Sequence, residues 1–247
     1  MFEGTFNMVR ESQQNRSRNR SAIIFLLMVV MLVGAELIDE IYITKIQPTK
    51  IDLFPLWLRN WDLAGFTLLN EQLSWPFLDP VMLAITHMGS TVFWLFVSVL
   101  LWVGNRRRES VLLAFGVVIG GLIFLPVKVA FPRARPSMVV QGARALDIEG
   151  GGSFPSGHSK NGFTACVILG SKWKSLRLPL WILACLISVS RIYVGVHWPF
   201  DVIVGSVVGW GVGKLTIRYE PKIMNALNRI TSIVQAVDVT SRSLPIE

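Results

Sequence analysis

Three stretches in the second half of the chain carry residue types that could do chemistry. They read KVAFPRARP (residues 128–136), PSGH (155–158) and SRIYVGVHWPFD (190–201). Lys128, Arg135 and Arg191 provide three positive charges with many hydrogen-bond donors, a combination that suits a phosphate dianion. Pro132 and Pro136 interrupt any helix between the first two, so the chain can turn and direct both at one anion.

The second stretch has the composition of an anion seat. Ser156, Gly157 and His158 stand directly before a helix-like apolar run. The backbone N–H groups at a helix N-terminus attract anions, and a glycine there lets the backbone approach them closely. We therefore expect a phosphate group to bind at the start of this helix.

The third stretch combines a histidine with an aspartate four residues later. Pro199 fits the first turn of a helix, which places His197 just before that helix and Asp201 in its first turn. A carboxylate there can hold one imidazole nitrogen and leave the other free as a nucleophile. His158 can protonate a leaving alkoxide. The set predicts phosphoryl transfer through a phosphohistidine, with the lysine and arginines neutralising charge, so no metal or cofactor is expected.

Each residue alone also has a plainer interpretation. Lys128 or Arg191 alone would be read as an interfacial cation, and Ser190 as an interhelical hydrogen-bonding residue. For His87, packing is favoured over contact with a lipid head group. The glycines at 150–152 suit either a mobile lid or a linker. Three further charges near the motifs either bind a second phosphate or sugar or are ordinary outer-loop charges: Arg133, Arg144 and Lys160.

The composition predicts that a membrane bundle positions these groups. Of the 247 residues, 52% are hydrophobic and 16% are charged, whereas soluble domains carry about 25% charged residues. A spanning helix needs about 20 mainly apolar residues. We predict an all-α, polytopic bundle of about six transmembrane helices, namely Ala22 to about Ile41, Val81–Val103, Val111–Phe131, Gly162 to about Leu169, Leu178–Val196 and Val202–Ile217.

The basic residues predict the orientation of the bundle. They cluster at alternate ends of the six segments, so all clusters can lie on one side, which the positive-inside rule makes cytoplasmic. Both termini are then cytoplasmic and the three motifs lie at the outer face. The first apolar segment is open to a second interpretation, a cleavable signal peptide.

The same pattern sets the expected domain limits. Residues 1–21 form a basic cytoplasmic tail, 22–219 the six-helix domain with the catalytic motifs at 128–201, and 220–247 a cytoplasmic tail. The segment 39–80 is expected outside, either as an interfacial helix rich in tryptophan or as an ordinary loop.

The motif spacings match a known pattern. K-x6-R-P, P-S-G-H and S-R-x5-H-x3-D together resemble the signature of the type 2 phosphatidic acid phosphatase and vanadium haloperoxidase superfamily, and no signature position departs from it. The resemblance implies that His197 is the nucleophile, that Asp201 supports it and that His158 is the acid for the leaving group. It further implies a phosphate site made by Lys128, Arg135, Ser156, Gly157 and Arg191, with Pro136, Pro155 and Ser190 in support.

The expected function is hydrolysis of a lipid phosphate or pyrophosphate by an integral membrane phosphatase. By resemblance, the substrate candidates are undecaprenyl pyrophosphate, phosphatidylglycerol phosphate, phosphatidate and lipid A phosphates. Short loops without an outer N-x-[ST] acceptor favour a bacterial inner membrane, with the active site facing the periplasm. The expected partners are the lipid substrate and the bilayer, with no nucleic acid and no obligate protein partner. The alternatives are a lipid phosphotransferase and, less favoured because polar residues collect at one face, a transporter or binding protein.

Overall fold

The protein is built from helices. The computed structural model describes residues 25–26, 29–30, 34 and 54–242, and no β-strand is present in these ranges. The all-α prediction is therefore confirmed for them, whereas the first predicted span lies mostly outside them. The helices are α1 (Leu56–Thr67), α2 (Asp79–His87), α3 (Thr91–Val103), α4 (Arg107–Ala130), α5 (Pro136–Val139), α6 (Gly157–Lys172), α7 (Arg177–Tyr193), α8 (Pro199–Arg218) and α9 (Glu220–Arg242).

Three described helical segments are long and apolar enough to cross a membrane. They are Arg107–Ala130, Lys174–Tyr193 and Pro199–Arg218, and α2 with α3 would add a fourth, bent span. The helix predicted as the fourth span forms as α6 but is not among them, because its 16 residues are too few to span, and most of them are buried among its neighbours. The count of six spans thus stays a prediction.

The predicted second span is interrupted in the structure. Instead of one helix over Val81–Val103, α2 and α3 meet at an angle of 62°. A backbone N–H group at the break is hydrogen-bonded locally. The Ser90 hydroxyl accepts a bond from the Phe93 N–H at 3.1 Å and caps α3. The side-chain amide of Asn161, on α6, donates to the Gly89 carbonyl at 3.1 Å. The turn therefore forms because α6 supplies a partner for it.

A line of glycines on α8 brings α6 into backbone contact. A Cβ at Gly205 would overlap the Ser156 carbonyl, and a Cβ at Gly209 would overlap the carbonyl of Lys160. The Thr164 hydroxyl uses the closeness to donate to the Gly209 carbonyl at 3.1 Å. This is the small-residue packing typical of membrane helices.

Helix α1 packs on the bundle along one side. Its buried residues recur every four positions, at Leu58, Asp62 and Phe66, and continue at Asn70 in the π-helical turn that follows. The opposite side exposes large apolar side chains, including Trp57 at 70% and Trp61 at 48%. Helix α1 thus has one face with buried polar and apolar residues on the protein and one exposed aromatic face.

A carboxylate joins three helices at the other end of the bundle. Glu220, at the start of α9, accepts bonds from Lys172 at the end of α6 at 2.6 and 2.7 Å, and from Arg108 at the start of α4. Since α4 and α6 run in opposite directions, this junction lies at the end remote from the three motifs.

Candidate active site

The three motif stretches come together at one end of the bundle. The Ser156 N–H donates to the carbonyl of Asp201 at 3.0 Å, and the Ser153 N–H donates to the carbonyl of Arg133 at 2.7 Å. The guanidinium of Arg135 donates to the Val196 carbonyl at 3.0 Å. Backbone bonds between the stretches therefore fix their relative positions.

The loop that carries His197 is held by its own backbone. The N–H of His197 donates to the carbonyl of Arg191 at 3.2 Å, and the Gly195 carbonyl accepts from Ser137 at 3.2 Å. Gly195 has a φ of +93°, and a Cβ there would overlap the carbonyl of Arg144. Only glycine suits both conditions, so this loop has little freedom to move the imidazole.

The two ring nitrogens of His197 face opposite charges. Oδ2 of Asp201 lies 3.6 Å from Nδ1, and Nη1 of Arg135 lies 3.5 Å from Nε2. The side chain is 1% exposed. Burial lowers the pKa of the His197 imidazole well below its usual value, and the charges of Arg135 and Arg191 lower this pKa further. The ring is therefore neutral at neutral pH, the state in which a ring nitrogen can act as a nucleophile.

Asp201 is anchored more closely by other groups than by the imidazole. Its Oδ2 accepts from the N–H of Trp198 at 3.0 Å, which caps α8, and its Oδ1 accepts from Nη1 of Arg133 at 3.0 Å. The prediction that α8 begins at Pro199, with Asp201 in its first turn, is confirmed. At 3.6 Å the contact with His197 is longer than a hydrogen bond, so the carboxylate acts on the ring through its charge.

Arg135 and Arg191 are bridged by a carboxylate that the sequence interpretation missed. Oε2 of Glu149 lies 3.0 Å from Nη1 of Arg135, and its Oε1 accepts from Nη2 of Arg191. Asp147 adds a contact of 3.3 Å to Arg191, which also donates to the Thr86 hydroxyl at 2.8 Å. Burial by itself would raise the pKa of the Glu149 carboxyl, but Arg191 and Arg135 hold it well below its usual range. In the sequence, the signal for these carboxylates was the acidic stretch Asp147-Ile148-Glu149 directly before the glycines at 150–152.

Two further predicted site residues, Lys128 and His158, interact with the charges of Arg191 and Glu149. The half-buried Lys128, in the last turn of α4, interacts electrostatically with Arg135, Glu149 and Arg191. The half-buried His158 interacts electrostatically with Arg191, Glu149 and His197. A side chain at Gly157 would meet no heavy atom within 4 Å, so there is room beside the first turn of α6.

Four motif residues make structural contacts. The buried Ser156 hydroxyl accepts from the Ser159 N–H at 3.4 Å and caps α6. Pro136 opens α5, and Pro155, the first residue of PSGH, is buried. Ser190 donates to the Ile187 carbonyl at 2.7 Å, within its own helix and not between helices as the plainer interpretation of this residue expects.

Several flanking residues differ from their expected roles. Arg133 is not an outer-loop charge, since it is 4% exposed and lies between Asp62 and Asp201. Lys160 is buried within the bundle, where its ammonium donates to the Val117 carbonyl at 3.3 Å. Arg144 forms an ion pair with Asp79 beside the site.

The glycine run and His87 also depart from expectation. Gly151 and Gly152 are buried, and the carbonyl of Gly150 accepts from Nη2 of Arg135 at 2.9 Å, so this run is packed against the site rather than forming a linker. His87, for which packing was favoured, is exposed.

Comparison with known proteins identifies relatives along most of the chain. The sequence profile of the PAP2 superfamily matches residues 109–225. An undecaprenyl-diphosphatase from Sulfolobus acidocaldarius is 31% identical over 152 residues, covering 58% of this chain and 71% of that protein. The crystal structure of Aquifex aeolicus LpxE is similar with a TM-score of 0.62 at 27% identity, covering 69% of this chain and 100% of that one. A PAP2-type phosphatidylglycerolphosphate phosphatase from Bacillus subtilis reaches a TM-score of 0.61 at 25% identity, covering 82% and 97%.

The profile includes every motif position, from Lys128 to Asp201. The relatives carry phosphatase names, and the solved neighbours extend the likeness to the arrangement of the helices. The chain therefore belongs to the PAP2 superfamily, as a membrane-bound enzyme of the phosphatase class.

Proposed function

We propose that the protein hydrolyses a lipid phosphate or pyrophosphate through a phosphohistidine at His197. One observation carries this proposal: the buried, neutral imidazole lies between the Asp201 carboxylate on its Nδ1 side and the Arg135 guanidinium on its Nε2 side. Nε2 thus faces the positive charge that would hold a phosphate group, and Nδ1 faces the negative charge that would stabilise the ring once it becomes cationic.

The first half of the reaction transfers the phosphoryl group to the protein. Nε2 of His197 attacks phosphorus, the bond between phosphorus and the lipid oxygen breaks, and a protonated His158 gives its proton to that oxygen. Arg135 and Arg191 bind the phosphoryl oxygens and offset the charge that develops on them. The dianion itself favours the protonated form of His158 because opposite charges stabilise each other.

The second half returns the site to its starting state. Water attacks the phosphorus of the phosphohistidine and gives one proton to His158, and the bond between phosphorus and Nε2 breaks. Inorganic phosphate leaves and His197 is neutral again. The net reaction consumes one water and yields phosphate and a lipid alcohol or monophosphate.

The substrate is proposed to be a lipid because the site lies at the end of a helical bundle that is apolar on its outside. Three described segments are candidate spans, and the aromatic face of α1 beside the site is suited to the membrane interface. The relatives named undecaprenyl-diphosphatase and phosphatidylglycerolphosphate phosphatase support polyprenyl and glycerolipid phosphates as the first to test. The basic residues of the remote end support an outward-facing site in an inner membrane.

The test is phosphate release by the purified, detergent-solubilised protein with EDTA present. The panel contains undecaprenyl pyrophosphate, phosphatidylglycerol phosphate, phosphatidate and a lipid A phosphate. His197→Ala is compared with His87→Ala, a matched change at an exposed histidine on the neighbouring helix α2. We expect EDTA-resistant release from at least one lipid, lost by at least a thousandfold in His197→Ala because the nucleophile is gone, and retained in His87→Ala.

Three other outcomes would each contradict a part of this proposal. Persistent release in His197→Ala would refute the nucleophile assignment. Release abolished by EDTA would refute the metal-independent mechanism. Phosphate that appears on a second lipid instead of in solution would identify a phosphotransferase.

A further inference from the structure

A buried pair of residues, Asp62 and Arg133, connects α1 to Asp201. Asp62 lies on the buried side of α1 with a fully buried side chain. Its Oδ1 accepts from the N–H of Phe200 at 2.8 Å, and its Oδ2 lies 2.7 Å from Nη2 of Arg133. Asp62 therefore contacts both the start of α8 and the arginine that pairs with Asp201.

Arg133 bridges two carboxylates with one planar group. Its Nη2 faces Asp62 and its Nη1 lies 3.0 Å from Oδ1 of Asp201. The guanidinium carbon lies 4.8 Å from the ring centre of Phe54 and 5.0 Å from that of Trp198, so aromatic faces hold the plane in place. A fork of parallel donors can bridge two carboxylates in this way, whereas a lysine ammonium is a point charge.

Arg133 lies on a different side of His197 from Arg135, which is proposed to bind the phosphate. Arg135 faces Nε2 of His197, the proposed attacking atom, while Asp201 and Arg133 lie on the Nδ1 side. Arg133 thus contacts the carboxylate on the Nδ1 side of the ring, whereas the proposed phosphate lies on the Nε2 side. Its bond to Oδ1 leaves Oδ2 of Asp201 facing the imidazole.

We propose that Asp62 and Arg133 are positioning residues that act on the reaction through Asp201. They fix the carboxylate so that it faces Nδ1 of His197, and they make the docking of α1 a condition for that geometry. This inference rests on the proposed function, because it assumes that His197 is the nucleophile.

The test separates turnover from binding. Asp62→Asn keeps an oxygen that can accept from Phe200 but removes the charge that pairs with Arg133. We expect kcat to fall by about tenfold to a hundredfold, as for other groups that orient a reacting residue, while KM and the inhibition constant of inorganic phosphate change by less than about twofold. The matched control is Asp79→Asn, which removes the charge of the carboxylate that pairs with Arg144. It is expected to leave kcat unchanged.

A second series tests the bridge itself. Arg133→Lys is expected to lie between the wild type and Arg133→Met, since one ammonium cannot replace both donors. In an Asp201→Asn background, measured by single turnover at high protein concentration, Asp62→Asn should cost less than about twofold further, because its route of action is already removed.

The outcomes distinguish this proposal from the proposed function. If His197→Ala is inactive but Asp62→Asn turns over like the wild type, the positioning role is refuted and the function stands. The positioning role would also be refuted if the effects of Asp62→Asn and Asp201→Asn on turnover were fully additive. An increase in KM and in the phosphate inhibition constant at unchanged kcat would refute it as well. Should Asp62→Asn not fold, Arg133→Lys decides, and wild-type turnover in that variant would refute the bridge.

Discussion

Glu149 makes its two contacts with the arginines to which the phosphate is assigned. Because the pKa of its carboxyl is held well below the usual range, Glu149 is ionised at neutral pH and substitutes for an anion between Arg135 and Arg191. Under the proposed mechanism, the substrate phosphate has to displace this carboxylate. Without substrate, Glu149 thus neutralises the charge of the two arginines. The substrate phosphate then binds less tightly than it would if this carboxylate were absent.

We therefore expect Glu149→Gln to bind anions more tightly. KM and the inhibition constant of inorganic phosphate should both fall, by about tenfold, which corresponds to about 1.4 kcal/mol. Asp147→Asn is the control, and its effect should be smaller because Asp147 contacts Arg191 alone, at 3.3 Å. Steady-state kinetics with inorganic phosphate as inhibitor provide the measurement. A higher KM in Glu149→Gln would show instead that this carboxylate helps to bind the substrate.

The sequence predicted those site residues whose roles depend on local spacing. Pro199 placed the helix start, and with it His197 and Asp201, because helix-capping rules act over a few residues. Glu149 and Asp62 were missed because their partners are distant along the chain, and their residue types alone indicate only a surface carboxylate. The roles of the signature residues in the reaction remain predictions.

The contact between α6 and α8 depends on glycine rather than on apolar side chains. The carbonyl groups of Ser156 and Lys160 occupy the space where side chains at Gly205 and Gly209 would be. Because α6 starts at the predicted phosphate seat and α8 starts just after His197, this contact sets the distance between the two halves of the site.

Two alanine substitutions on different sides of α8 test this contact. Gly209→Ala forces the helices apart and should cost about 2 kcal/mol, in the range of overpacked cores, together with most of the activity. Gly211→Ala is the matched control, because a Cβ there meets no atom within 4 Å, and alanine is the better helix former by about 1 kcal/mol. Thermal unfolding in detergent and phosphate release measure the two effects. Equal stability of the two variants would contradict the proposed role of the contact.

The helices themselves were largely predictable from hydropathy, but the interruption between α2 and α3 was not. Residues 81–103 are apolar enough for one span, and Gly89 with the capping Ser90 is a local signal for a helix break but not for an angle of 62°. The bend depends on Asn161 of α6, which bonds the Gly89 carbonyl at 3.1 Å and the Thr91 hydroxyl at 3.0 Å. The hydropathy of residues 81–103 gives no information about a hydrogen-bond partner 70 residues away along the chain.

The molecule as a whole has the proposed catalytic groups at one end and an ion-pair junction at the other. Glu220 connects the far ends of α4 and α6 to α9. Burial raises the pKa of its carboxyl, but the bonds from Lys172 and Arg108 outweigh this, and the pKa is lowered from its ordinary value of 4.5. A lowered folded-state pKa means that the stabilisation is present above that ordinary value and is lost as the pH falls through the folded pKa.

Glu220→Gln should therefore lower the melting temperature at pH 7 by roughly 2–4 °C, the equivalent of about 1 kcal/mol in a chain of this size. The difference from the wild type should narrow as the pH falls below the ordinary pKa of 4.5. KM should not change, since the junction is remote from His197. Glu109→Gln, which removes a charge at the same end of α4, is the control. A difference that persists undiminished in acid would show that the ion pairs are not its source.

The burial of α6 has a consequence for how the protein is made. Eleven of its sixteen residues are buried, and Lys160 and Asn161 are among them. With 16 residues this helix is too short to be a candidate span, whereas α4, which precedes it, and α8, which follows it, are candidates. During synthesis α6 leaves the ribosome before the glycines of α8 that will cover it, so lipid offers it no stable place at that moment. We therefore expect the insertion machinery to retain α6 until α8 has been made.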